Sequence, residues 1–101
     1  MTVLDLSCNQ LTELDGLIDL VLLSELNISD NMIVSLKPLK DLKSLVRLDA
    51  SKNSISKLDF QETQLSQLVD ASFADNHISE IIGICSLIEL CTLNLSKLIY
   101  D

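Results

Sequence analysis

The chain has little of what enzymes and nucleic-acid binders commonly use. Its 101 residues include no tryptophan, two glycines (Gly16 and Gly83), one proline (Pro38) and one histidine (His77). Two isolated glycines cannot build a phosphate-cradling loop, and no G-x-S-x-G elbow is present. The only aromatics are Phe60, Phe73 and Tyr100, so there is no platform on which bases could stack. Seven Lys and Arg against fifteen Asp and Glu leave a net charge of −8. Such a chain repels a phosphate backbone, so nucleic acid is not an expected partner. A basic protein surface or peptide is what this charge attracts.

Cysteine is also scarce. Cys8, Cys85 and Cys91 are an odd number without the short spacing of a zinc site, and His77 adds only one further ligand. No metal or other cofactor is expected, and free thiols point to an intracellular, cytoplasmic setting. The one conceivable nucleophile and base, Cys85 and His77, fall on different parts of the repeat described below, which leaves catalysis without support. The longest apolar stretch, residues 81–90, is broken by Gly83, Ser86 and Glu89. It falls well short of the roughly 20 residues that span a bilayer. Met1 runs straight into VLDLSCN with no charged leader. The expectation is a soluble chain with no membrane contact.

What the chain has in abundance is leucine, twenty-two of them in a sequence that is 48% hydrophobic. They recur in phase with Asn9, Asn31, Asn53 and Asn76, at intervals of 22, 22 and 23 residues. Residues 23–36, LSELNISDNMIVSL, show the unit most fully: L-x-x-L-x-I-x-x-N-x-I-x-x-L. A fixed period of this length means stacked coils of a solenoid. Residues 1–101 therefore read as one domain of four repeats and the start of a fifth. The extra residue of the 23-residue interval falls in DFQETQ, where Phe60 takes a core position.

Each coil carries two periodicities. In ELNIS and RLDAS apolar and polar residues alternate, as in a strand with one buried face. After the asparagine, apolar residues recur every third position, as in Leu14, Leu17, Leu20 and Leu36, Leu39, Leu42, which suits 3-10 turns or a short helix. Gly16, Pro38 and Gly83 stand at equivalent positions on the turn into that segment. Strand plus short helix, repeated, stacks as a curved parallel sheet inside and helical segments outside. The asparagines sit where the strand ends and buried backbone groups lack ladder partners. A carboxamide can donate and accept, so Asn9, Asn31, Asn53 and Asn76 are assigned as a structural ladder.

This lettering resembles the 22-residue class of leucine-rich repeats, as in the phosphatase-1 regulatory subunit and a dynein light chain. The resemblance covers nearly the whole chain, with Ala50 and Ala71 in place of bulkier core residues. It implies an α/β right-handed solenoid with a parallel β-sheet on the concave face and short 3-10 or α segments on the convex face. It also implies a binding protein, not an enzyme.

Residues one period apart lie side by side on neighbouring strands, so outward positions form columns. One is Val3, Glu25, Arg47, Asp70, Thr92; the next is Asp5, Asn27, Asp49, Ser72, Asn94. A third, Ser7, Ser29, Ser51, Ala74, Ser96, is assigned to the turn. Arg47 stands between Glu25 and Asp70, whereas Asp49 has neutral neighbours. A partner site on the acidic concave face is therefore centred on Asp49, with Asp5, Asn27, Ser72, Glu25, Arg47 and Asp70 around it. The expected function is non-catalytic protein binding, with a basic partner on that face. The alternative is a structural segment of a larger repeat scaffold with no site of its own. Lys37, Lys40 and Lys43 are expected to pair with Asp15, Asp59 and Glu62 on adjacent repeats. No polar cap closes either end, which leaves Leu4 and Leu6 uncovered on one side and Leu98, Ile99 and Tyr100 on the other. Self-association through those ends is a further expectation.

Overall fold

A computed structural model describes residues 2–84, 87 and 89–95 of the chain. The expected apolar end at Leu98, Ile99 and Tyr100 lies outside the described residues, as do Ser96 and Cys85.

The described residues form a parallel-strand solenoid of about four turns. Five strands make the main sheet: β1 (Thr2–Asp5), β2 (Leu23–Asn27), β3 (Arg47–Asp49), β5 (Asp70–Ser72) and β7 (Thr92–Asn94). Their order across the sheet is β1-β2-β3-β5-β7, every pair parallel. A second, two-stranded parallel sheet on the other wall joins β4 (Lys57–Asp59) to β6 (Glu80–Ile82). Two 3-10 helices, η1 (Asp15–Leu17) and η2 (Lys37–Leu39), occupy the corresponding wall of the first two coils.

The core lies between the walls. Leu26, Leu48 and Ala71 turn inward from the main sheet, and Leu17, Leu39, Leu58 and Phe60 reach them from the outer wall. Burying each aliphatic side chain contributes roughly 1.5–3 kcal/mol. Ala50 and Ala71 leave room that Phe73 fills. Ala50 stands one coil away and Ala71 two residues earlier on the same face, and all three are completely buried. The Phe73 ring meets that of Phe60 at a centroid distance of 6.2 Å and an interplanar angle of 51°. That pair ties the inner wall of coil four to the outer wall of coil three.

Main-chain hydrogen bonds run on past the strands. Leu6 N–H donates to Asn27 O at 2.8 Å, Ile28 N–H to Asp49 O at 2.9 Å and Phe73 N–H to Asn94 O at 2.8 Å. The ladder then turns a corner at Cys8, Asp30, Lys52 and Asp75, each with φ between 56° and 58°. This left-handed conformation is uncommon outside glycine. Here it recurs at the residue before Asn9, Asn31, Asn53 and Asn76.

The asparagines fasten each corner to its neighbour. Asn76 Nδ2 donates to Ala50 O, Phe73 O and Ala74 O at 3.0–3.2 Å, and its Oδ1 accepts Ile55 N–H at 3.0 Å. Asn53 and Asn31 repeat the arrangement on the preceding coils. Asn9 bonds only within its own coil, to Leu6 O and Ser7 O, and is exposed. Burial follows the same order, from 8% exposure at Asn31 to 6% at Asn53 and 0% at Asn76.

The outer wall departs from a uniform helical one. Gly16 and Pro38 each sit inside a 3-10 turn, whereas Gly83 follows β6 with φ +72°. A Cβ there would lie 2.9 Å from the backbone nitrogen of Gln61. Coils three and four pair as strands, Lys57-Leu58-Asp59 lying in register against Glu80-Ile81-Ile82. The register moves from a 22-residue to a 23-residue offset between β3 and β5 and stays at 23 between β4 and β6. The extra residue thus lies after Asp59 and leaves the main sheet without a bulge at β3–β5.

Candidate functional site on the open face of the main sheet

The outward side chains of the main sheet gather around one open hollow of ≈ 380 Å³. The register places Val3, Glu25, Arg47, Asp70 and Thr92 in one row and Asp5, Asn27, Asp49, Ser72 and Asn94 in the next. All seven residues assigned from the sequence line this hollow: Asp5, Glu25, Asn27, Arg47, Asp49, Asp70 and Ser72. Four carboxylates face one guanidinium. Short strands hold them there because Leu4, Leu26 and Leu48 anchor the intervening positions against the core.

The carboxylates are not equivalent. Arg47 Nη1 lies 3.3 Å from Glu25 Oε1, an exposed pair that contributes about 0–1 kcal/mol. Asp70 is its neighbour on the other side and makes no ion pair with a described residue. Arg47, which stands between Glu25 and Asp70, therefore leans to one side only.

Asp49 has a second task. Its Oδ1 accepts both the N–H of Ser51 at 3.0 Å and the Oγ–H of Ser51 at 2.7 Å. Asp5 and Ser7 repeat this at 2.9 and 2.6 Å, and Asn27 Oδ1 accepts Ser29 N–H at 3.0 Å. Each residue caps the turn that follows its strand. The two Ser7 hydrogen bonds, the hydroxyl's first, hold the Asp5 carboxyl below its ordinary 3.8. Reading columns alone missed this capping. The signal was present as D-x-S at Asp5 and Asp49 and N-x-S at Asn27.

The other assigned features separate. Lys37, Lys40 and Lys43 make no ion pair with any described residue, contrary to expectation. Asp59 turns its carboxylate to Gln61 N–H at 3.0 Å, and the residue inserted after it puts Glu62 out of step with Lys40. The inter-repeat pair that does form on this wall is Lys57 with Glu80, at 3.7 Å. His77 is exposed, and its supposed partner Cys85 lies outside the described residues. Among the described residues no group of three or more His, Cys, Asp or Glu could hold a metal, and no helix is long and apolar enough to cross a membrane.

No protein-family model matches the chain, and no curated protein does. Solved structures do. The crystal structure of internalin C2 from Listeria monocytogenes aligns with a TM-score of 0.81 and 32% identity, over 95% of this chain and 42% of that one. The crystal structure of the internalin inlF from the same organism aligns with a TM-score of 0.61 and 23% identity, over 100% of this chain and 43% of that one. The second likeness shows the fold alone, and the chain spans less than half the length of either structure. With the repeated lettering and the parallel solenoid, these likenesses make the chain a leucine-rich-repeat protein.

Proposed function

We propose that the chain is a non-catalytic protein-binding module that takes a basic partner in the acidic hollow of its main sheet. The observation that carries this reading is the convergence of Asp5, Glu25, Asp49 and Asp70 on one hollow whose single cation, Arg47, is engaged by Glu25. Asp70 and the outward oxygen of Asp49 are the anchors for incoming Lys or Arg. Asp5 and Asn27 extend the site towards β1, and Ser72 borders it towards β7. Potentials of opposite sign steer such partners and fix their orientation.

The test is affinity capture from the native cell with mass-spectrometric identification, comparing wild type with the Asp49→Lys plus Asp70→Lys double variant. Partners rich in Lys and Arg are expected to be captured by wild type and lost from the variant. Capture that the two substitutions leave unchanged overturns the named surface. The exposed free thiols of Cys8 and Cys91 support an intracellular setting for this interaction. Leu4 and Leu6, only partly buried at the open end of the first coil, support self-association there. Light scattering over a concentration series checks this, and a strict monomer rules it out.

A further inference from the structure

The outer wall of the solenoid is joined between coils three and four and parted between coils two and three. At the joined seam Ser79 N–H donates to Ser56 O at 3.0 Å, β4 pairs with β6, and Phe60 N–H donates to Ile82 O at 2.8 Å. At the parted seam Ser54 N–H donates to Ile33 O at one end, and Gln64 N–H to Lys40 O at the other. Between those two bonds no backbone hydrogen bond joins the coils among the described residues. A groove of ≈ 470 Å³ opens there, with residues 35–40 on one wall and 57–63 on the other.

Two features of the sequence part this seam. Pro38 has no N–H, so coil two cannot give the bond that Phe60 gives from the equivalent position of coil three. The residue inserted after Asp59 also lengthens one wall relative to the other. In consequence β4 has a strand neighbour on one edge only. Successive residues of a parallel strand turn their N–H and C=O groups to opposite sides. Phe60 N–H faces coil four, so the amides and carbonyls of Lys57 and Asp59 face the groove, where no described residue pairs with them.

Charge separates this groove from the hollow on the main sheet. Lys37 and Lys40 line it without an ion pair to any described residue, while the Asp59 carboxylate is occupied by Gln61 N–H. Lys57 has only the exposed contact with Glu80. Glu62 is the remaining acid, and the floor is apolar, formed by Leu36, Leu39 and Leu58. On a chain of net charge −8 this is a local excess of cation over a free strand edge.

We propose that the groove is a second binding site, for an extended acidic peptide segment of a partner protein that pairs along the free edge of β4. The incoming backbone bonds to the N–H and C=O groups of Lys57 and Asp59, its carboxylates meet Lys37 and Lys40, and alternate apolar side chains reach the floor. Three residues of edge span about 10 Å, enough for a short strand and for modest affinity.

The experiment is an amide NMR titration of the full chain with a blocked six-residue peptide of alternating Glu and Val, and with its Lys and Val counterpart. The Glu peptide is expected to shift the Lys57 and Asp59 amides saturably. Binding weakens at least about fivefold in the Lys37→Glu plus Lys40→Glu variant, the effect of two exposed pairs. Asp59→Pro removes the N–H that faces the groove and abolishes binding. Asp59→Ala loses the Gln61 bond but keeps the amide, and retains it. The proposal is overturned if the Glu peptide leaves those two amides unmoved at millimolar concentration, or if the Lys peptide moves them equally. Undiminished binding by a folded Asp59→Pro also overturns it. If that variant does not fold, the charge-reversed variant decides.

Discussion

On the inner wall of this solenoid the coils are nearly interchangeable, whereas on the outer wall no two adjacent seams are alike. Each of the first four inner turns has a short strand, a left-handed corner and an asparagine bonded to backbone. The outer wall stacks two 3-10 turns, then opens a groove, then closes as a strand pair. The difference lies in what holds each wall. Backbone groups and one carboxamide per coil hold the inner wall, and these do not depend on the variable letters. The outer wall depends on single residues such as Pro38, Phe60 and Gly83, and so it varies with them.

Five substitutions test that contrast. The largest effect is expected at Asn76, where Asn76→Ala strands Phe73 O and the N–H of Ile55 in a fully buried site and takes one of two donors from Ala50 O and Ala74 O. We expect a loss of about 3–5 kcal/mol in urea unfolding, against about 1 kcal/mol for Asn9→Ala at the exposed end of the same ladder. Equal losses would mean that the ladder does not couple coil to coil. Next is Gly83→Ala on the joined outer seam. Its Cβ would press on the Gln61 backbone at a φ that only glycine adopts freely, and about 2–4 kcal/mol should be lost. A neutral result would show that the seam can move apart. On the parted seam, Pro38→Ala should cost only about 0.4–1 kcal/mol, acting through the unfolded chain because no main-chain bond depends on it.

The smallest effect concerns the turn caps and is a matter of pH. The folded-state pKa of Asp5 is depressed by Ser7, so its stabilisation is present above the unfolded value and is lost as pH falls through the folded one. Ser7→Ala should raise the Asp5 pKa towards 3.8, as read from a carboxyl NMR titration. An unchanged midpoint would remove the serine from the cap.

The inner wall was legible in the sequence because its period is its geometry. Once Asn31 and Asn53 are aligned, Glu25 falls beside Arg47 and Asn27 beside Asp49, and the hollow's lining follows. Side-chain engagement was less legible. The neutral neighbours of Asp49 were plain, but its bond to Ser51 depends on the turn conformation that the corner imposes. The outer wall was legible only in coils one and two, where the three-residue spacing of leucines marks 3-10 turns. In coils three and four, Lys57-Leu58-Asp59 and Glu80-Ile81-Ile82 are too short for periodicity to separate strand from turn. Their pairing depends on each other, across 23 residues. The lysine stripe failed for a related reason, since one inserted residue was enough to put expected ion partners out of step.

The left-handed corners have one more implication. Cys8, Asp30, Lys52 and Asp75 adopt the same φ although a thiol, two carboxylates and an ammonium stand there, so the conformation is imposed by the bonds around them and not by the side chain. Apart from β-branched residues, which that φ disfavours, selection is free to exchange letters at these four sites at little cost to folding. Each follows by three residues a side chain that lines the acidic hollow: Asp5, Asn27, Asp49 or Ser72. A lineage of such chains could therefore change partners by drift at the corners while every coil stays in register.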